Sequence, residues 1–249
     1  MARWDITEGI YMDKLAYKNA VNKVFMAVVI TAILGILSSI FTSFVATTAS
    51  LELGAAIASG ASMPFMPILT VLIIPLIVVA ANIYYYITLG TLANAVHEND
   101  VPAVKKLRSA VLLSLISSVI GLCIFLVLLS GDLAVIGTLT VVIGLACLVL
   151  SVIAYIFTLI SYSKLKISET FPGKDGAKLL FIAAIIALCC GVVGAIPFLG
   201  IIGGLGAIAA MVLNIVGWVK IKNSEVPEKP ATEAPETPAA EVPETPAAE

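Results

Sequence analysis

The sequence predicts an all-α integral membrane protein, a six-transmembrane-helix bundle built as three tandem helical hairpins with a disordered acidic C-terminal tail. Three observations predict it. Sixty per cent of the 249 residues are apolar and 12% are charged, whereas a soluble domain carries about 25% charged residues. Apolar runs of the roughly 20 residues that a membrane-crossing helix needs recur along the chain. All 14 Lys and Arg residues fall into four clusters, namely Arg3 to Lys23, Lys105 to Arg108, Lys164 to Lys178 and Lys220 to Lys229.

The basic clusters also predict the orientation of the chain. Each interval between two clusters has room for one helical hairpin that leaves the membrane and returns, so all four clusters are expected on one face. Cytoplasmic loops are enriched in Lys and Arg. We therefore expect a multi-pass protein of the cell (cytoplasmic) membrane with cytoplasmic N- and C-termini.

The N-terminal part is expected to lead into the first span. Residues 1–23 alternate charged and apolar side chains, which predicts a cytoplasmic amphipathic segment, either at the membrane interface or docked on the bundle itself. The first span, 24–48, has small residues at every fourth position, Gly35 among them, which predicts a helix-packing face. Residues 49–65 contain no basic residue and are expected to form an extracytoplasmic loop, with or without a short helix along the membrane.

The next three spans are predicted at 66–92, 109–130 and 134–162. Pro75 lies inside the second span, where a proline kinks a helix and frees a carbonyl group. In the fourth span, small residues that include Gly144 recur at seven-residue spacing, which predicts a left-handed packing seam.

The fifth span, 179–196, is expected to end at Pro197, and the sixth covers 200–221, so that the transmembrane domain extends over 24–222. Glycines cluster around this break, Gly200 and Gly204 among them. Such density predicts close contact between the last two helices, and the alternative is a broken helix that lines a cavity.

A faint internal repeat accompanies these spans. At an offset of 70 residues, Thr88-Leu89 matches Thr158-Leu159, Pro102 matches Pro172 and Arg108 matches Lys178. Because each hairpin returns to the same side, such a repeat would be parallel.

The last segment, 223–249, is rich in Pro, Glu, Ala and Thr. From Glu225 onward it holds seven Glu and one Lys, a net charge of −6. Apolar groups are too few there to offset the entropy of ordering, so a disordered tail is predicted.

Ionisable residues that could support catalysis or ion-coupled transport are scarce. No Asp, Glu, Lys, Arg or His lies within the predicted spans short of Lys220 at the end of the sixth, and intramembrane catalysis or ion-coupled transport normally needs such groups. We therefore predict no catalytic, cofactor-binding or metal-binding residue. The candidate intramembrane polar contacts are Asn82, Asn214 and Tyr85, of which the two asparagines can hydrogen-bond across helices.

Function is expected to rest on binding rather than catalysis. The first expectation is a non-enzymatic scaffold, assembly or regulatory subunit, with membrane lipids and a protein partner bound through the acidic tail or the small-residue faces, and no nucleic acid. The alternative is a permease, channel or lipid-handling protein for a neutral or apolar small molecule. An enzyme is the third hypothesis and would use His97, Asp100 and Lys105.

Overall fold

The computed structural model describes residues 13–59, 65–128, 133–194 and 200–226. Residues 1–12, Pro197 and the predicted tail from 227 on lie outside the described residues. In the described ranges every regular element is an α-helix, which confirms the all-α prediction. The helices are α1 (Lys14–Ser59), α2 (Phe65–Ala93), α3 (Val101–Leu128), α4 (Leu133–Ile167), α5 (Lys174–Gly194) and α6 (Gly200–Lys222).

Five of these helices are long and apolar enough to cross a membrane, as expected for a membrane-embedded multi-pass protein. The qualifying segments are Lys14–Ser38, Pro75–Ala93, Leu139–Ile167, Lys174–Val193 and Ile202–Lys222. The span predicted at 109–130, which falls largely within α3, is not among them and stays a prediction.

α1 is longer than the sequence suggested. Its 46 residues correspond to about 69 Å, more than twice the thickness of the hydrocarbon layer. It begins at a cap, because the backbone N–H groups of Leu15 and Ala16 donate to Oδ1 of Asp13 at 2.9 and 3.1 Å. It then continues without a break as far as Ser59, so most of the loop expected at 49–65 is helical.

The other helices extend past their predicted spans at the ends that carry the basic clusters. α3 begins at Val101, eight residues before the predicted start, with the N–H groups of Ala103 and Val104 donating to the Asp100 carbonyl at 3.0 and 3.1 Å. α4 continues to Ile167, and α5 begins at Lys174. The basic residues are therefore mostly helical rather than part of loops.

The helices form a closed ring in chain order. Each helix packs against the next one along the chain, α6 packs against α1, and no other pair of helices is in contact in the described ranges. Short connections between consecutive helices favour this arrangement, because they make sequence neighbours into antiparallel packing neighbours.

One end of the ring, the basic end, gathers the start of α1, the connectors 94–100 and 168–173, and the end of α6. Thr170 is hydrogen-bonded to Asp100 there, and the Tyr17 and Phe171 rings meet edge to face with centroids 6.4 Å apart. The Tyr17 hydroxyl also lies beside Ser224. The first and last described stretches of chain thus share one end of the ring.

The hydrophobic core lies at this basic end. Tyr17, Leu89, Phe171 and Trp218 are buried within a single cluster, and each large apolar side chain contributes roughly 1.5–3 kcal/mol through its burial. On the outer faces of the ring, by contrast, large apolar side chains such as Val141, 63% exposed, have no cover from the chain itself. Such an outer surface suits contact with lipid.

Three glycines bring α5 and α6 into close contact. A Cβ on Gly176 would overlap the carbonyl oxygen of Gly217, and a Cβ on Gly217 would come 2.8 Å from Cδ2 of Leu180. A Cβ on Gly206 would likewise overlap Sγ of Cys190. α5 and α6 are therefore in close contact at these glycines.

The glycines that the sequence pattern selected have a different setting. Apart from its chain neighbours and the backbone of its own helix, a Cβ on Gly35, Gly144 or Gly204 would meet no atom within 4 Å, so there is space for a side chain at these positions. Gly200 is the first residue of α6, and Pro75 lies inside α2, which continues on both sides of it. The packing or hinge role of these residues stays a prediction.

Candidate binding site

A cavity of about 410 Å³ lies inside the ring of helices. All six helices contribute to its wall, and its volume is within the range of about 300–1,000 Å³ that is usual for small-molecule sites. One lining residue from each helix in turn is Thr31, Tyr85, Leu107, Thr158, Ala187 and Asn214.

The core closes the cavity toward the basic end. Leu89 lies one helical turn beyond the lining residue Tyr85, and Trp218 lies one turn beyond Asn214. Both are fully buried in the core cluster. The cavity therefore ends on a layer of packed side chains rather than continuing to the surface at the basic end.

Tyrosine hydroxyls supply part of the polarity of the wall. The hydroxyl groups of Tyr85 on α2 and Tyr162 on α4 lie close to each other across the interior of the ring. The Tyr155 hydroxyl is buried near the backbone of Leu188 without a hydrogen bond of good geometry. Three tyrosine hydroxyls thus lie at the wall, and that of Tyr155 has no hydrogen-bond partner among the described residues.

Threonine and asparagine supply the rest. The hydroxyls of Thr31 and Thr158 donate to carbonyl groups of their own helices, at 2.8 Å to Ala27 and 3.0 Å to Ala154. Their remaining capacity is to accept. The Asn214 amide has no hydrogen-bond partner among the described residues.

Among the residues that the structure describes, no charged residue lines the cavity. Alanines from α5 and α6 and apolar side chains from α1 and α3 make up most of its wall. An ion in such a site would lose hydration without a countercharge, at a cost of several kcal/mol. The wall thus favours a neutral, mainly apolar occupant with few hydrogen-bonding groups.

The predicted polar contacts divide between two settings. Asn214 and Tyr85 line the cavity. Asn82 is not a lining residue, and its Nδ2 donates to the Val78 carbonyl of its own helix at 2.9 Å. Tyr155 and Tyr162 are not among the residues predicted from the sequence, although with Thr158 they recur at spacings of three and four, which is typical of one helix face.

Among the described residues, no side-chain hydrogen bond or ion pair joins His97, Asp100 and Lys105 to one another. The Asp100 carboxylate is 2% exposed and accepts a hydrogen bond from Thr170. Nδ1 of His97 accepts the backbone N–H of Asn99 at 3.2 Å. In the described ranges no cluster of three or more His, Cys, Asp or Glu side chains is suited to a metal ion.

Cations stack on aromatic rings across neighbouring helices at the basic end. The guanidinium carbon of Arg108 on α3 lies 4.2 Å from the centroid of the Tyr86 ring on α2, a contact worth about 0.5–2 kcal/mol. The other three contacts are Lys106 with Phe157, Lys166 with Phe181 and Lys222 with Phe25, at 5.2, 3.5 and 5.0 Å. Each joins two helices that are adjacent in the ring.

Comparisons of the chain with protein-family models, with curated proteins and with solved structures find no match.

Proposed function

We propose that this chain is a non-enzymatic multi-pass membrane protein that binds a neutral, largely apolar small molecule inside its ring of helices. The single observation that carries the proposal is the cavity of about 410 Å³ to which every helix contributes. A neutral wall with a few hydrogen-bonding groups is the usual composition of a small-molecule site.

Holding or handing over a ligand fits the cavity better than continuous conduction. Tyr17, Trp218 and Ile221 are fully buried in the core at the basic end, and a pore would have to pass through this layer. Movement of a ligand past the layer would require the core to open, at the cost of its packing energy. We therefore favour a lipid-handling or ligand-binding role over that of an open channel.

The membrane placement is part of the proposal. The basic clusters support the cytoplasmic membrane, a cytoplasmic basic end and both termini on that side, because Lys and Arg near span ends are retained in the cytoplasm. The proposal also includes α3 as a membrane span, in addition to the five helices that are long and apolar enough.

The test is to identify the small molecules that copurify with the protein. The full-length chain, purified in mild detergent, is extracted with organic solvent, and the extract is analysed by mass spectrometry. We expect a neutral apolar compound in near-stoichiometric amount, and its loss from Ala187→Phe, which fills the cavity. Val141→Phe places the same aromatic side chain on the exposed face of α4 and should retain the compound.

Two results would contradict this function. One is the absence of any stoichiometric neutral compound from the wild type together with no binding of added hydrophobic probes. The other is equal retention by Ala187→Phe and Val141→Phe.

A scaffold or regulatory role is the second candidate. Its support is that Gly144 and Gly204 lie on helix faces where a Cβ would meet nothing within 4 Å, because small residues allow a helix of another protein to approach closely. Crosslinking in membranes tests it. Reduced crosslinking in Gly144→Leu, with no such loss in Val141→Leu, is expected if this face binds a partner, and identical patterns would remove the support.

A further inference from the structure

The hydrogen-bonding groups of the cavity are concentrated toward its closed end. Tyr162 lies five residues before the end of α4, and Tyr85 and Asn214 each lie eight residues before the ends of α2 and α6. At 1.5 Å per residue these positions are about 8 to 12 Å from the basic ends of their helices. The closed end of the cavity is therefore its polar end.

The opposite part of the wall is mainly apolar. Ala187 lies thirteen residues from the start of α5, and Ala207 lies fifteen residues from the end of α6, which places them about 20 to 22 Å from the basic ends. The polar exceptions at this level are Tyr155, whose hydroxyl is buried near Leu188, and Thr31, seventeen residues from the start of α1, whose hydroxyl donates to the Ala27 carbonyl of its own helix. Along its length, a molecule that fills the cavity thus contacts a more polar region and then a mainly apolar region.

Asn214 has the hydrogen-bonding capacity to hold a head group. A side-chain amide offers two donors and one acceptor, and no described residue bonds to it. At a similar level of the cavity, the neighbouring hydroxyl groups of Tyr85 and Tyr162 can each donate one proton and accept. Together these groups match a single small group that both donates and accepts.

We infer that the occupant is an uncharged amphiphile with one hydroxyl head group, held by Asn214 beside the Tyr85–Tyr162 pair, and with an apolar chain along the alanine wall of α5 and α6. This assignment rests on the proposed function. It specifies the chemical class of the ligand and its orientation, with the head group toward the basic end.

The charge of the site separates this class from fatty acids. Among the described residues no Lys or Arg lines the cavity. Arg108 directly follows the lining residue Leu107 on α3, but its guanidinium group stacks on the Tyr86 ring and is not a lining group. A carboxylate at Asn214 would lack a countercharge, whereas a hydroxyl group would lose only hydrogen bonds to water that Asn214 and the tyrosines replace.

The experiment uses full-length protein in lipid nanodiscs and a long-chain alcohol that carries a photoactivatable diazirine. Unlabelled alcohol, alkane and fatty acid of the same chain length compete for labelling. We expect the alcohol to compete about five- to tenfold better than the alkane, the ratio for roughly one net hydrogen bond, and the fatty acid to compete no better than the alkane. Labelled peptides are expected from α5 and α6.

A matched pair of asparagine variants tests the head-group contact. Asn214→Leu should weaken alcohol binding about five- to tenfold and leave alkane binding unchanged or stronger. Asn82→Leu makes the same chemical change outside the cavity and should bind both probes as the wild type does. Thermal unfolding of the two variants shows whether either has lost its fold, and the competition series on the wild type needs no variant.

The outcomes distinguish a failure of the proposed function from a failure of the ligand assignment alone. Absence of saturable labelling by any probe would overturn the proposed function and this assignment together. Saturable labelling that Ala187→Phe abolishes, with alcohol, alkane and fatty acid competing equally or with Asn214→Leu unchanged, would overturn only the assignment. A fatty acid that competes best would also overturn it, since the site would then select charge.

Discussion

The Thr170 hydroxyl donates a 2.8 Å hydrogen bond to Oδ2 of Asp100, and the two residues are 70 positions apart. This separation is also the offset at which Pro102 matches Pro172 in the sequence. Each residue of the bonded pair precedes its proline by two positions. The connectors 94–100 and 168–173 are thus joined at corresponding positions, which is compatible with a parallel repeat.

Loss of this bond should destabilise the basic end. In Thr170→Val a buried carboxylate loses a charge-assisted hydrogen bond, at an expected cost of about 1.5–3 kcal/mol. Thermal unfolding in detergent measures the effect as a lower Tm. Glu98→Gln, on an exposed residue of the same connector, should leave the Tm unchanged, and equal Tm values for Thr170→Val and the wild type would contradict the role of the bond.

The α5–α6 contact should not tolerate a methyl group at its closest point. Gly176→Ala places a Cβ against the backbone carbonyl oxygen of Gly217, so the helices must separate, at an expected cost of about 1–3 kcal/mol. Gly144→Ala adds the same methyl group in open space and should be neutral or slightly stabilising, because alanine is the better helix former. Comparable stability of the two variants in an unfolding assay would show that the contact is looser than the structure indicates.

The stacking of Arg108 on Tyr86 predicts a measurable coupling between α2 and α3. In a double-mutant cycle with Arg108→Gln and Tyr86→Leu, the unfolding free energies should be non-additive by about 0.5–2 kcal/mol. The cycle removes the separate effects of lost charge and lost ring volume. A coupling energy near zero would mean that the contact contributes nothing to stability.

The apolar pattern was sufficient to predict the helices but not their ends. A hydropathy pattern reports where lipid can surround a helix, and it is silent about helical turns beyond the membrane. Those turns depend on local capping, as at Asp13 for α1. The hydrogen bond between Asp100 and Thr170 could not be predicted from the sequence either, because a contact between residues 70 positions apart has no local signature.

The candidate site was predicted in part for a related reason. Asn214 and Tyr85 stand out in the sequence as rare polar groups in apolar runs, and both line the cavity. Asn82 met the same criterion but bonds within its own helix, because composition does not tell which way a side chain points in a closed ring. The tyrosine face of α4 has a periodic signal in the sequence. The contact between α1 and α6 that closes the ring has no such signal.

Trp218 offers a test of the layer that closes the cavity. Its side chain is 2% exposed, and its indole N–H is buried without a partner among the described residues. Trp218→Ala should cost about 3–5 kcal/mol, the usual loss for a large buried aromatic residue. Trp218→Phe removes the unpaired N–H together with part of the ring, and since an unsatisfied buried donor costs about 1–3 kcal/mol, its net effect should be small. A Phe variant that unfolds as readily as the Ala variant would show instead that the indole N–H is satisfied, and that the layer depends on that bond rather than on apolar packing.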